Sequence, residues 1–118
     1  MEAIFEELEL WGCDIDGAMG RFLDDKELYL TCLDTVITDK AFGTLGVALA
    51  EKNVSGAFDS AHTLKGVFAN MGLTPMFRIV ECIVEPLREG MIEDLLPDYH
   101  RLLEANEYLK DILERNEH

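Results

Sequence analysis

The sequence predicts an all-α protein, an antiparallel up-down four-helix bundle with additional short N-terminal helices. Three observations carry that prediction. Every long periodic stretch repeats its apolar residues at helical spacing, glycine marks the joints between stretches, and the connections are short enough to make neighbouring helices antiparallel. A β-rich or α/β fold needs alternating strands, which the chain lacks. The β-branched run Thr35-Val36-Ile37-Thr38 is followed by no turn and partner strand.

The first helix uses Ile4, Phe5, Leu8 and Trp11 and stops near Gly12. Asp14 or Asp16 caps a second, with Ile15, Ala18, Met19 and Phe22 on one face. Asp24 or Asp25 caps a third, whose buried stripe is Leu30, Leu33, Val36 and Ile37. A fourth segment uses Phe42, Leu45, Ala48 and Leu49 and is loosened by Gly43 and Gly46. Asn53 or Ser55 starts the fifth, which ends at Gly72, a good C-terminal stop. Thr74-Pro75 reads as an N-cap followed by proline at the first helical position, with Met76, Ile79, Val80, Ile83 and Leu87 as the apolar face and Gly90 at the end. Pro86 lies late enough in this segment to kink or shorten its last turn. The last helix begins near Glu93 or Asp94, tolerates Pro97 in its first turn, and runs Leu95, Tyr99, Leu102, Asn106, Leu109 and Leu113 down one side. Glu117-His118 read as an expression remnant.

Residues 1–118 read as one domain, long enough and, at 48% apolar residues, rich enough for a real core. No apolar run approaches the ~20 residues that span a bilayer, and no signal-peptide pattern opens the chain, so a cytoplasmic protein is expected. The formal charge is −14, from 24 acidic and 10 basic residues. Such a surface repels phosphate backbones and anionic lipid, which disfavours nucleic-acid and membrane partners. No surplus apolar helix face stands out, so a monomer is expected. Cys13, Cys32 and Cys82 are odd in number and widely spaced, which argues for reduced thiols, two of them packed in helices, and against a disulfide scaffold or zinc site.

Metal, nucleotide and acyl-transfer chemistry each lack their residues. Di-metal bundles want Glu-x-x-His on two helices, whereas this chain has Asp59-x-x-His62 once, facing outward, and His100 has no acid three positions ahead. No phosphate-cradling glycine motif is present, so the chain does not hold ATP by this reading. With three histidines and no activated nucleophile signature, a catalytic triad is a poor reading.

The segment Ser60-Ala61-His62-Thr63-Leu64-Lys65-Gly66-Val67-Phe68-Ala69-Asn70-Met71-Gly72 is different. A helix turns about 100° per residue, so Ala61, Leu64, Phe68 and Met71 share one stripe, with Ala57 and Phe58 leading into it. His62 falls roughly opposite Leu64 and faces solvent. Ser55 and Asp59 precede it on that face, and Lys65, Gly66 and Ala69 follow. Gly66 costs about 1 kcal/mol relative to alanine in a helix interior, so some close approach is expected to require it. An imidazole is both neutral and nucleophilic near pH 7, because its reference pKa is about 6.5. For His62 to exchange a phosphoryl group with a second protein, the ring must project for in-line attack and its neighbours must be small. Gly66 and Ala69 meet that need, Lys65 can compensate phosphoryl charge, and Asp59 can orient the ring or a water.

Ala61-His62-Thr63-Leu64-Lys65-Gly66, followed by Asn70-x-Gly72, resembles the phospho-acceptor motif of histidine-containing phosphotransfer (HPt) domains. Gly12-Cys13-Asp14-Ile15, Arg21-Phe22-Leu23-Asp24-Asp25 and Glu27-Leu28-Tyr29 resemble the weaker N-terminal pattern of that family. Glu85-Pro86-Leu87-Arg88 resembles the stretch where members often carry a Leu-Glu pair, with Pro86 standing where an acid is expected. Phe68 is larger than the usual residue, on the inward stripe. The resemblance implies a phosphorelay intermediary without an ATP site or turnover of its own. His62 would accept phosphoryl from a receiver-domain aspartate and pass it to another receiver. Lys65 would sit beside the phosphoryl group and Gly66 would leave room for it. Gly72 would end the helix before the next one packs back, and Ser55, Asp59, Gly66 and Ala69 would face the partner. Response-regulator receiver domains, those of a hybrid sensor kinase among them, are the implied partners. The receiver would supply Mg²⁺, so no cofactor is expected on this chain. A catalytically silent bundle that binds a signalling partner without phosphorylation is the alternative reading.

Overall fold

Among the described residues, seven helices make up the regular structure: α1 (Glu2–Trp11), α2 (Ile15–Arg21), α3 (Lys26–Ile37), α4 (Ala41–Ala50), α5 (Val54–Asn70), α6 (Thr74–Arg88) and α7 (Leu96–Arg115). The computed structural model describes residues 2–116, and among these there is no strand. The remnant read at Glu117-His118 lies outside the described residues.

Local chemistry sets most of the starts. Asp14, Asp25 and Asn53 each accept a hydrogen bond from the backbone N–H three residues on, at Gly17, Leu28 and Gly56, all at 3.0 Å. Each such cap stabilises its helix by about 1 kcal/mol. They therefore cap α2, α3 and α5 in place of the alternatives Asp16, Asp24 and Ser55. Asp24 instead takes a left-handed turn with Leu23, at φ 61° and 53°.

Two starts differ from the sequence expectation. Leu73, not Thr74, occupies the cap of α6, and Pro75 sits in the first turn. Leu73 is fully buried and its N–H bonds the Phe68 carbonyl at 2.9 Å, so the end of α5 dictates the entry into α6. Helix α7 starts at Leu96, beyond Glu93 and Asp94, because Asp94 is left-handed (φ 63°) and Leu95 is drawn into the core at the cap. Pro86 does not shorten α6, which runs on to Arg88; Gly90, at φ 78°, closes it while the Met91 N–H bonds the Pro86 carbonyl at 2.8 Å.

Helices α4, α5, α6 and α7 pack in sequence and close into the four-helix bundle through contact between α4 and α7. The connections at 51–53, 71–73 and 89–95 are short enough to make successive helices antiparallel. Helix α3 packs against α7, and α1 against α7 and α2. The buried apolar residues of all seven helices form one continuous core. Gly46 marks a close approach between α4 and α7 at its margin. A Cβ there would lie 2.4 Å from the Tyr99 hydroxyl, which donates to the Phe42 carbonyl at 2.8 Å.

The interior departs from the expected stripes in a few places. Ile37 and Phe22 are half-buried, whereas Tyr29 is fully buried, as are Val84 and Ile112. Cys13 is buried in the turn between α1 and α2; the two helical cysteines are half-buried (Cys32) and exposed (Cys82), so the thiol inside the core is not a helical one. Burial pushes the Cys13 thiol up to about 12. Among the described residues no helix is long and apolar enough to cross a membrane.

Candidate functional site

Helix α5 presents the site. Ala57, Ala61, Leu64 and Phe68 are buried without residual exposure, which fixes the rotation of the helix and turns His62 to solvent. Three long-range devices hold its C-terminal end, where backbone carbonyls otherwise lack partners. Arg21 of α2 donates from Nε to the Asn70 carbonyl at 2.8 Å and from Nη2 to the Ala69 carbonyl at 3.0 Å. The Tyr29 hydroxyl of α3 donates to the Met71 carbonyl at 2.7 Å. Gly72, at φ 69°, accepts from the Asp14 N–H at 2.8 Å, and a Cβ on it would lie 2.3 Å from the Asp14 carbonyl oxygen. The N-terminal helices thus anchor the end of the helix that carries the histidine.

Among the described residues, neither ring nitrogen of His62 takes part in a hydrogen bond, and the residue is exposed. The ring stacks on Phe58, one turn earlier, with centroids 5.5 Å apart and planes 23° apart. By sequence, Phe58 leads into the inward stripe and Asp59 is the residue that can orient the ring or a water. Phe58 is in fact half-buried at the margin of the core, and Asp59 is exposed and makes no hydrogen bond to the imidazole.

Helix α6 brings a charged row to this face. Glu81, Glu85 and Arg88 repeat at i, i+4 and i+7 and therefore lie along one side. Lys65 Nζ lies 3.9 Å from a carboxylate oxygen of Glu81 and 3.9 Å from one of Glu85, and 5.6 Å from the Phe77 ring centroid. Arg88 reaches Glu85 at 3.6 Å and sets its guanidinium 5.3 Å from the centroid of Phe58. Lys65 is therefore a tethered cation, only 24% exposed, not a free one. At 3.9 Å and partly in water, both pairs are weak, each worth roughly 0–1 kcal/mol.

Gly66 lies on open ground. A Cβ built there meets nothing within 4 Å, so no close approach within the chain requires the glycine. It leaves open space beside His62, and exposed Ala69 extends that space along the helix. On the other side of His62, Ser55 and Asp59 border a shallow groove with Val54, Phe58, Leu87 and Arg88. The structure therefore brings His62, Gly66, Ala69, Ser55 and Asp59 to one outward surface, with Lys65 at its edge toward α6. Sequence reasoning missed Phe58, Arg88 and Glu81. The i, i+4 spacing of Phe58 and His62 could have revealed the stack; the pairing of α6 with Lys65 has no local signal.

Residues 28–115 match the Hpt domain family. The fold is similar to that of the HPT domain from the Hpt sensor hybrid histidine kinase of Shewanella, with a TM-score of 0.69 at 19% sequence identity, over 87% of this chain and 94% of that one. A comparison with curated proteins finds no match.

Proposed function

The chain belongs to the Hpt domain family, and from that premise we propose that it is a phosphorelay intermediary whose phospho-acceptor is His62. A phosphotransfer role in two-component signalling follows from the family; the acceptor residue and the partners are the proposal. One observation supports it most: His62 projects from a rigidly anchored helix with both ring nitrogens unbonded, beside a glycine with open space around it.

The chemistry balances without a cofactor on this chain. A lone pair on a ring nitrogen of the neutral imidazole attacks the phosphorus of a receiver's aspartyl phosphate. The N–P bond forms as the P–O bond to the aspartate breaks, and the carboxylate leaves with the electron pair. In the reverse sense, a second receiver's aspartate attacks phosphorus and the electron pair returns to the ring nitrogen. We assign the divalent cation that neutralises the phosphoryl oxygens to the receiver, as Mg²⁺ in its acidic pocket. Lys65 adds charge from this side. Its pairs with Glu81 and Glu85 are weak enough to give way to a phosphoryl group that carries more charge than either carboxylate. Ser55, Asp59, Gly66 and Ala69 form the surface on which the receiver settles. We read the domain as a carrier on which the receivers act, in keeping with the family.

Phosphotransfer profiling against receiver domains of the source organism, those of hybrid sensor kinases included, tests the reading. His62→Gln is expected to abolish uptake of acid-labile, base-stable phosphoryl; uptake by that variant would remove His62 as acceptor. Lys65→Ala is expected to slow transfer about tenfold, equivalent to ~1.4 kcal/mol of lost charge stabilisation, with helicity unchanged. A silent interaction bundle would bind a receiver and never carry phosphohistidine.

A further inference from the structure

We propose that Phe58 is a positioning residue for His62, and that Arg88 holds Phe58 in place; the inference rests on His62 being the acceptor. An exposed histidine on a helix, free of hydrogen bonds, samples more than one staggered χ1 well and a broad, roughly two-fold χ2. In-line attack needs reacting atoms about 3–3.5 Å apart with orbitals aligned, so a ring that wanders wastes encounters. His62 has no hydrogen bond to limit it, and Asp59 does not supply one. The stack on Phe58 is the contact that narrows these choices, with centroids 5.5 Å apart and planes 23° apart.

Phe58 is suited to act as that wall. It stands one turn before His62 on the same helix, where i, i+4 side chains meet. It is half-buried against the core, so its own motion is restricted. The Arg88 guanidinium lies 5.3 Å from its ring centroid, within cation–π range. Arg88 also reaches Glu85 at 3.6 Å, and Glu85 lies 3.9 Å from Lys65. The residues that orient the imidazole and the cation that faces its phosphoryl group are thereby joined through one carboxylate of α6. A phenyl ring that only filled the core margin would need neither the stack nor the guanidinium.

The test uses Phe58→Leu, Phe58→Tyr and Arg88→Gln in the full chain. It reads the imidazole proton resonances of His62 by NMR, and the rate of transfer from the receiver that phosphorylates the wild type fastest. Phe58→Leu is expected to shift the His62 resonances as the ring current is lost. The same variant should slow the transfer step about five- to tenfold at saturating receiver, within the range a small misplacement costs. Phe58→Tyr, which keeps the aromatic face, should restore both readouts, and Arg88→Gln should slow transfer less than Phe58→Leu. Unchanged resonances and an unchanged rate in Phe58→Leu would overturn the proposal, as would a Phe58→Tyr variant, folded by circular dichroism, that is as slow as Phe58→Leu. If no receiver phosphorylates the wild type, the relay reading fails instead, and the resonances of the unphosphorylated protein still decide whether Phe58 holds the ring.

Discussion

Gly66 and Gly72 lie six positions apart on one segment and answer opposite demands. Gly66 is in an ordinary helical conformation with open space where a Cβ would stand, so Gly66→Ala should stabilise the fold by up to about 1 kcal/mol. The same methyl would stand where a receiver must descend beside His62, so phosphoryl transfer should fall while the melting temperature rises. Gly72 has φ 69° and no room, since a Cβ would lie 2.3 Å from the Asp14 carbonyl oxygen. Gly72→Ala should therefore cost about 2 kcal/mol or more in urea denaturation. Both glycines could be picked out from their positions in the helical pattern. Room beside His62 and a C-terminal stop were legible reasons for them; the Asp14 carbonyl that crowds Gly72 was not, because that contact belongs to the folded chain. The same limit applies to Lys65: its place on the histidine's flank was legible, and its tether to Glu81 and Glu85 was not.

For the helices, what could be read depended on how far apart the partners are in sequence. The caps at Asp14, Asp25 and Asn53 bond a backbone N–H three residues on, so a reader of the sequence can narrow each to two neighbours. The far end of α5 is fixed by Arg21 and Tyr29, which lie 42–49 residues from their acceptors and give no local sign of it. Arg21→Ala removes two bonds to carbonyls that water can reach, so the expected cost is about 1 kcal/mol. Amide exchange should accelerate in the last turn of α5 and at 71–73, and stay slow around Leu64. Equal acceleration along the whole helix would mean that Arg21 supports the fold generally and not that end. The starts of α6 and α7 depart from the polar cap pattern for a related reason: buried Leu73 and Leu95 outrank the polar residues beside them in setting where the helix begins.

Across the molecule, the charge pattern sets a stability window with two different edges. Hydrogen bonds from Arg115 and Asn116 hold the Glu7 carboxyl below its ordinary range, and Lys26 does the same for Glu2. A lowered folded-state value contributes stability above the unfolded carboxylate pKa of about 4.3, and loses it as pH falls through the folded value. These pairs tie α1 to α7 and α3 at an exposed surface, so the acid edge should be shallow. The alkaline edge is steeper. Burial pushes the Cys13 thiol to about 12, against an unfolded value of about 8.5. Its contribution is whole below the unfolded value and is lost as pH rises toward the folded one. Burial raises the Tyr29 hydroxyl in the same direction. The urea midpoint should therefore hold from pH 6 to 8 and fall between 9 and 11, and Cys13→Ala should flatten that fall. A midpoint independent of pH over that range in the wild type would contradict the burial of Cys13.

The sequence alone determined the helical fold and the face of α5 that turns outward, since both follow from periodicity along one chain. It also placed His62 on that face with Lys65, Gly66 and Ala69, because neighbours on a helix are set by spacing. Tertiary structure decided what reaches those residues from other helices: the guanidinium beside Phe58, the carboxylates near the lysine, and the distant arginine and tyrosine that finish the helix. The division has a physical origin. Rotation about a helix axis is fixed residue by residue, whereas contact between helices depends on how whole faces meet in the core.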